Sequence, residues 1–218
     1  LSGQLIPKNG RKDGSMATVI TDREFAESLR EERAATGADR WDEVWDGTYM
    51  MAPLPNIEHQ DIAGGLVSAI RQVVGRGQAI VLPGTNVSDR EMGWKHNYRC
   101  PDVAVYLVGN AAKNCSTHWC GGPDFAVEIV SHDDRTRDKL PFYAQVGTRE
   151  LLIVERDPWG LELFRLSNGE LRSVGTSTLE NGKVFVSETL PLTFRLISSD
   201  DRPSILVTHA PDGKTWDV

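Results

Sequence analysis

Several things are scarce or missing in this sequence, and each absence removes a class of protein. No stretch approaches the roughly 20 consecutive apolar residues that a membrane-spanning helix needs. No apolar core of a secretion signal stands near the start, so a soluble, cytoplasmic protein is expected. Cysteine is sparse and odd in number: Cys100, Cys115 and Cys120 are the only three, which argues against a secreted disulfide framework. With His96 and His118 they suggest a zinc cluster, but the CSTHWC segment is too cramped for any common finger spacing. The chain contains no glycine-rich phosphate loop, serine-nucleophile elbow or HExxH pair, so it lacks the local marks of a P-loop NTPase, an α/β-hydrolase or a zincin. It also lacks an excess of positive charge. Lysine and arginine total 24 against 31 acids, a formal net charge of −7. Domains that grip nucleic acid usually carry a basic footprint. A local strip drawn from Arg71, Arg76, Arg90, Lys95, Arg99, Lys113, Arg135 and Arg137 would have to supply it.

What is present is ordinary globular composition: 39% hydrophobic and 25% charged residues over 218 positions, enough for one domain with a substantial core. Residues 1–15 are polar, glycine-containing and without period, and read as a leader or disordered segment ahead of Met16. A single domain is expected over 16–198, followed by a Pro/Asp/Gly-rich tail over 199–218. Thr21 or Asp22 is placed to cap a helix over 23–34 with Phe25 and Leu29 on its apolar face. Asp46-Gly47 joins two short strands as a hairpin that holds Trp41 and Trp45, whose rings are read as packing rather than as base-stacking surfaces. Ile62, Leu66 and Ile70 mark the buried stripe of a helix over about 58–76. Strands follow at 79–87, 103–108, 125–130 and 149–155, with a helix at 137–146 and a second hairpin across Ser167-Asn168-Gly169. The element order predicts an α/β or α+β fold with a mixed central sheet flanked by helices and added β-hairpins, rather than a clean doubly wound sheet.

Two of the strands carry acids where a core strand should have none. Pro101-Asp102 leads into VAVYLV, and Pro123-Asp124 leads into FAVEIV, which contains Glu128. A lone carboxylate among apolar strand residues costs several kcal/mol unless a cation or a hydrogen-bonded partner meets it. Lys139 follows eleven residues after Glu128, near the start of the next helix. Two acids and a lysine presented by adjacent elements suit a cation site for phosphodiester hydrolysis. Mg²⁺ takes one or two carboxylates and completes its octahedron with water and substrate oxygens, while a lysine stabilises charge developing on the phosphate. Asp124 reads instead as a turn residue and Asp138 as a helix cap.

These same segments, PDVAV from Pro101, PDFAVEIVS from Pro123, DKLPFY from Asp138 and VGTRELLIV from Val146, resemble the PD-(D/E)xK nuclease superfamily, and in particular its bacterial restriction-endonuclease (Uma) family. The likeness extends upstream through WDGTYMMAPLPNIEHQDI and spans roughly residues 41–167. It implies a restriction-endonuclease-like fold and a Mg²⁺-dependent endonuclease acting on DNA, with Mn²⁺ able to substitute. Asp102 and Glu128 would be metal ligands and, with Lys139, catalytic residues. The superfamily usually sets its lysine two residues after the acid, a place held here by Val130, so the resemblance implies a migrated lysine at Lys139. Superfamily members also bring an acid or a histidine from a comparable helix toward the metal, which adds His59, although a polar helix start is served by the same residues. Cutting two strands would favour a symmetric homodimer. Two other readings stay open: a non-catalytic nucleic-acid- or protein-interaction module on the same fold, and a metal-dependent phosphodiesterase for RNA or a small molecule.

Overall fold

The computed structural model describes residues 18–131 and 135–218; the 1–15 segment lies outside them. The central sheet has six strands, in the order Glu170–Ser177, Trp159–Ser167, Glu150–Arg156, Phe125–Ile129, Val103–Leu107 and Ala79–Pro83. Within it only Phe125–Ile129 and Glu150–Arg156 run parallel. A parallel pair needs a crossover, which a 3₁₀ turn at Thr136–Lys139 and helix α3 at Leu140–Gln145 supply. The expected single helix over 137–146 is thus split in two. Pro141 is tolerated because it falls in the first turn of α3, where no intrahelical N–H bond is lost. Helix α1 runs Arg23–Thr36 and helix α2 runs Ile57–Val73. The mixed α+β architecture is the one the element order predicts.

Alternation along the strands decides what faces what. Phe125, Val127 and Ile129 point to the α2 side, where they join Ile62, Leu66 and Ile70 in the main core. Ala126 points to the opposite side with Leu151, Ile153, Phe142 and Tyr143. Glu128 shares the phase of Ala126 and is therefore turned toward α3. A second sheet of seven short strands contains the hairpin Glu43–Trp45 and Thr48–Met51, joined at Asp46-Gly47 as expected. Asp42, just ahead of it, is buried and binds Arg33 Nε at 2.7 Å, the Ala52 N–H at 2.8 Å and the Tyr49 hydroxyl. This fixes the hairpin against α1. In α1 Ala26 is buried and Leu29 partly buried, while Phe25 is exposed. The cap at Asp22, which accepts the Phe25 N–H, sets Phe25 in the first turn on the solvent side.

The segment 199–218 is not a loose tail. Strands Ser204–His209 and Thr215–Asp217 extend a four-stranded sheet with Leu192–Ile197 and Phe185–Val186, and Ile205, Val207 and Val218 enter the main core. Val218 also explains one glycine of α2. A Cβ at Gly65 would stand 2.6 Å from Val218 Cγ1, whereas one at Gly64 would meet nothing. Gly84 is more tightly constrained, with a φ of +55° and the Trp41 ring 2.1 Å from where a Cβ would sit. Gly84→Ala is expected to cost about 2–4 kcal/mol, from left-handed backbone strain and a displaced indole. Urea unfolding of the variant measures this, and an unchanged midpoint would contradict it. No helix among the described residues is long and apolar enough to cross a membrane.

Candidate active site

Four elements bring charged side chains into one cleft. Asp102 sits at the mouth of strand Val103–Leu107, and its Oδ2 accepts the Ile129 backbone N–H at 2.7 Å. That bond ties the acid to the neighbouring strand, one residue beyond Glu128. The N-terminus of α2 is capped by Asn56, which accepts the His59 N–H at 2.9 Å, and this first turn delivers His59 Nε2 to 3.2 Å from Asp102 Oδ1. Lys139 stands where the 3₁₀ turn meets α3, and its ammonium is 3.0 Å from Glu128 Oε2. From α3 itself Tyr143 donates to Glu128 Oε1. Asp102, Glu128, Lys139 and His59, the four residues singled out in the sequence, all line one cavity of about 90 Å³.

The sequence reading missed Glu43. Its Oε1 is 3.0 Å from the Lys139 ammonium and accepts the Cys100 N–H at 2.9 Å. Its Oε2 accepts the Trp45 indole N–H at 2.7 Å. Three donors thus hold the Glu43 carboxylate in one orientation. Lys139 therefore bridges two acids, one on the central sheet and one on the hairpin. A signal for Glu43 did exist: it shares the alternating phase of Trp41 and Trp45, all three of which line the cleft. The tryptophans expected as packing thus belong to the wall of the site. Arg99, buried beneath, lies 4.6 Å from the Trp45 ring and 4.3 Å from the Phe142 ring.

Burial governs the electrostatics. It pushes the Glu128 carboxyl up to about 8, and the nearby Asp102 and Glu43 charges act in the same direction. The Lys139 ammonium and the Tyr143 hydrogen bond pull the other way without cancelling the desolvation. Burial likewise raises the Tyr143 phenol well above its usual value, so it remains a hydrogen-bond donor. The sign of the linkage follows. Between about 4.5 and 8 the folded protein holds the Glu128 proton that the unfolded chain releases, so this group's contribution is fully present at low pH and is lost as pH rises through 8. In EDTA, the stability of the native protein relative to Glu128→Gln is expected to fall steadily from pH 5 to pH 8. Urea unfolding at several pH values tests this, and a flat or rising difference would contradict it.

The donor chemistry is that of a site for a hard divalent cation: Asp102 and Glu128 line one cleft, and their carboxylate oxygens would match the one or two carboxylates that Mg²⁺ takes from a protein. The desolvated Glu128 is an acid that a cation would stabilise in its charged form. Among the described residues no group of three His, Cys, Asp or Glu side chains is gathered to hold a metal. The Cys/His set does not converge either. His118 Nε2 is 3.1 Å from the Arg90 carbonyl, and its ring stacks on Trp94. Cys100 is buried, while Cys115 lies beside the Lys113 carbonyl.

The remaining expectations resolve as follows. Asp124 is a buried anchor: it accepts from the Leu107 N–H and from Asn110 Nδ2, both at 2.8 Å, and pairs with Arg149. Asp138 is not a helix cap; it lies inside the 3₁₀ turn and pairs with Arg135 at 2.7 Å. Much of the expected basic strip is engaged within the protein, while Arg76 and Lys95 are exposed. Arg90 pairs with Asp89, Lys113 with Glu91, and Arg137 with Glu155 and Glu162. Arg99 is buried, and Arg71 donates to the Val81 carbonyl.

Residues 29–198 match the family model Uma2, described as "Putative restriction endonuclease". In the solved structures, the fold is similar to that of a protein from Anabaena variabilis ATCC 29413, described as a putative nuclease belonging to DUF820. The TM-score is 0.55 and the identity 18%, over 68% of this chain and 83% of that one. At that identity the likeness speaks for the fold alone. No curated protein matches the sequence.

Proposed function

The chain belongs to the Uma2 family, described as putative restriction endonucleases, and from that premise we propose that its cleft hydrolyses DNA phosphodiester bonds with Mg²⁺, for which Mn²⁺ can substitute. One observation carries the reading. Asp102 and Glu128, from adjacent strands, line the same cleft as a lysine that already lies 3.0 Å from Glu128. Asp102 and Glu128 are the residues that would hold the ion. When bound, the ion polarises the phosphate and lowers the pKa of the attacking water.

The chain's own groups do the rest. His59 and the Ile129 N–H fix the two oxygens of Asp102, and Tyr143 fixes Glu128. Lys139 places a positive charge where the phosphate gains negative charge in the transition state. Glu43, 3.0 Å from the same ammonium, would keep Lys139 in the cleft if Glu128 were to hold the cation. The lysine can leave its usual place two residues after the acid because the 3₁₀ turn ahead of α3 brings Lys139 back over the same strand. Supercoiled and linear DNA incubated with Mg²⁺, Mn²⁺ or EDTA provides the test. Cleavage with either ion and none in EDTA is expected, and failure to cut any DNA with either ion would overturn the proposal.

A further inference from the structure

Arg99 is a buried cation whose hydrogen bonds all go to neutral groups. It is 4% exposed, and burial works against its charge, yet a guanidinium stays protonated inside a protein. Nη1 donates to the Val44 carbonyl at 3.0 Å, to Asn97 Oδ1 at 3.0 Å and to the Tyr98 carbonyl at 3.1 Å. Nε has no hydrogen-bond partner among the described residues. Buried charges are normally paired, and an orphaned buried donor calls for an explanation. What meets this guanidinium instead is aromatic: the Trp45 ring at 4.6 Å and the Phe142 ring at 4.3 Å.

Both rings lead to the candidate site. Trp45 ends a strand of the hairpin, and its indole N–H donates to Glu43 Oε2 at 2.7 Å. Cys100, next in the chain after Arg99, donates its backbone N–H to the other oxygen of Glu43 at 2.9 Å. Phe142 precedes Tyr143, which donates to Glu128, on the helix that begins directly after Lys139. Arg99 thus touches the element that fixes Glu43 and the element that brings Lys139 and Tyr143 to Glu128. The gap it braces is the one that Lys139 bridges, 3.0 Å from each acid. Arg135 also lies over the Trp45 ring, at 5.3 Å, but it is exposed and pairs with Asp138, so the buried brace is Arg99.

Resting on the nuclease reading above, we infer that Arg99 is a positioning residue for the reaction: its guanidinium, packed against Trp45 and Phe142, sets the spacing of Glu43 and Glu128 and so aims the Lys139 ammonium at the phosphate. Arg99→Lys keeps the buried charge but loses the planar group that stacks on both rings. In cleavage of DNA with Mg²⁺, its kcat is expected to fall about 10²-fold, the cost of a misplaced group. KM should change less than about twofold, because no contact with the substrate is lost. Trp45→Phe keeps a ring beside the guanidinium and removes only the indole N–H that holds Glu43, so its kcat is expected to fall about tenfold. The double variant should be no slower than Arg99→Lys alone, since both changes act along one path. Melting curves establish that each variant is folded. Native kcat in folded Arg99→Lys, an effect confined to KM, or losses that multiply in the double variant would overturn the inference and leave the nuclease reading standing. Native kcat in Trp45→Phe would do the same, and decides the matter even where Arg99→Lys does not fold. If the native protein cuts no DNA with Mg²⁺ or Mn²⁺, both fall.

Discussion

Asp102→Asn will leave the protein folded and reduce metal-dependent cleavage by at least about 10²-fold. The substitution is nearly isosteric. The amide oxygen of the new side chain can still accept the Ile129 N–H now bound at 2.7 Å, and its amide nitrogen can face the His59 imidazole, which is 3.2 Å from Asp102 Oδ1. The strand-to-strand tie therefore survives, and only the negative charge is lost. If Asp102 served the fold alone, as in a non-catalytic interaction module, the variant would lose little. Its effect on rate separates an enzyme from a module, provided that the circular dichroism spectrum and urea midpoint match those of the native protein. A folded variant with native cleavage would show that Asp102 is a structural acid.

Lys139→Met should be damaging in two ways. The new side chain matches the aliphatic stem but leaves Glu43 and Glu128 facing each other with no cation between them, where both had been 3.0 Å from the ammonium. Removing one partner from a buried ion pair typically costs about 3–5 kcal/mol, so a large drop in the urea midpoint is expected. Cleavage should fall by about 10²–10³-fold, the usual cost of one electrostatic stabiliser of the transition state. Lys139→Arg separates the two effects. Keeping the positive charge should restore most of the stability, while the bulkier planar guanidinium should restore less of the rate. Native cleavage by a folded Lys139→Met protein would remove the lysine from the mechanism.

How much of this could be read from the sequence depended on whether a residue broke a local rule. Asp102 and Glu128 were legible because each is an acid attached to a Val/Ile-rich strand, and the structure buries both. Lys139 was legible by its spacing and by the resemblance carried by DKLPFY, since nothing else local distinguishes a lysine at a helix start. What brings it to Glu128 is the split between the 3₁₀ turn and α3, which the continuous helix expected over 137–146 did not include. Glu43 broke no rule, because a glutamate in a short hairpin is usually a solvent-facing residue. Its phase with Trp41 and Trp45 was the one local sign, and its pairing with Lys139 is a contact between distant segments that no local pattern encodes. The 199–218 segment misled for the opposite reason. Its Pro, Asp and Gly content suggested a tail, although SILVTH alternates and two of its residues, Ile205 and Val207, lie in the core. Phe25 shows the limit of apolar spacing on a short amphipathic helix, where the cap fixed which face turned inward.

The most direct measurement is a calorimetric titration of Mg²⁺ and Mn²⁺ into the native protein and into Glu128→Ala and Asp102→Asn. Binding at one site in the native protein, lost in both variants while their folds persist, is the predicted result. Equal binding in all three, or no binding to a folded native protein, would contradict a cation held by Asp102 and Glu128.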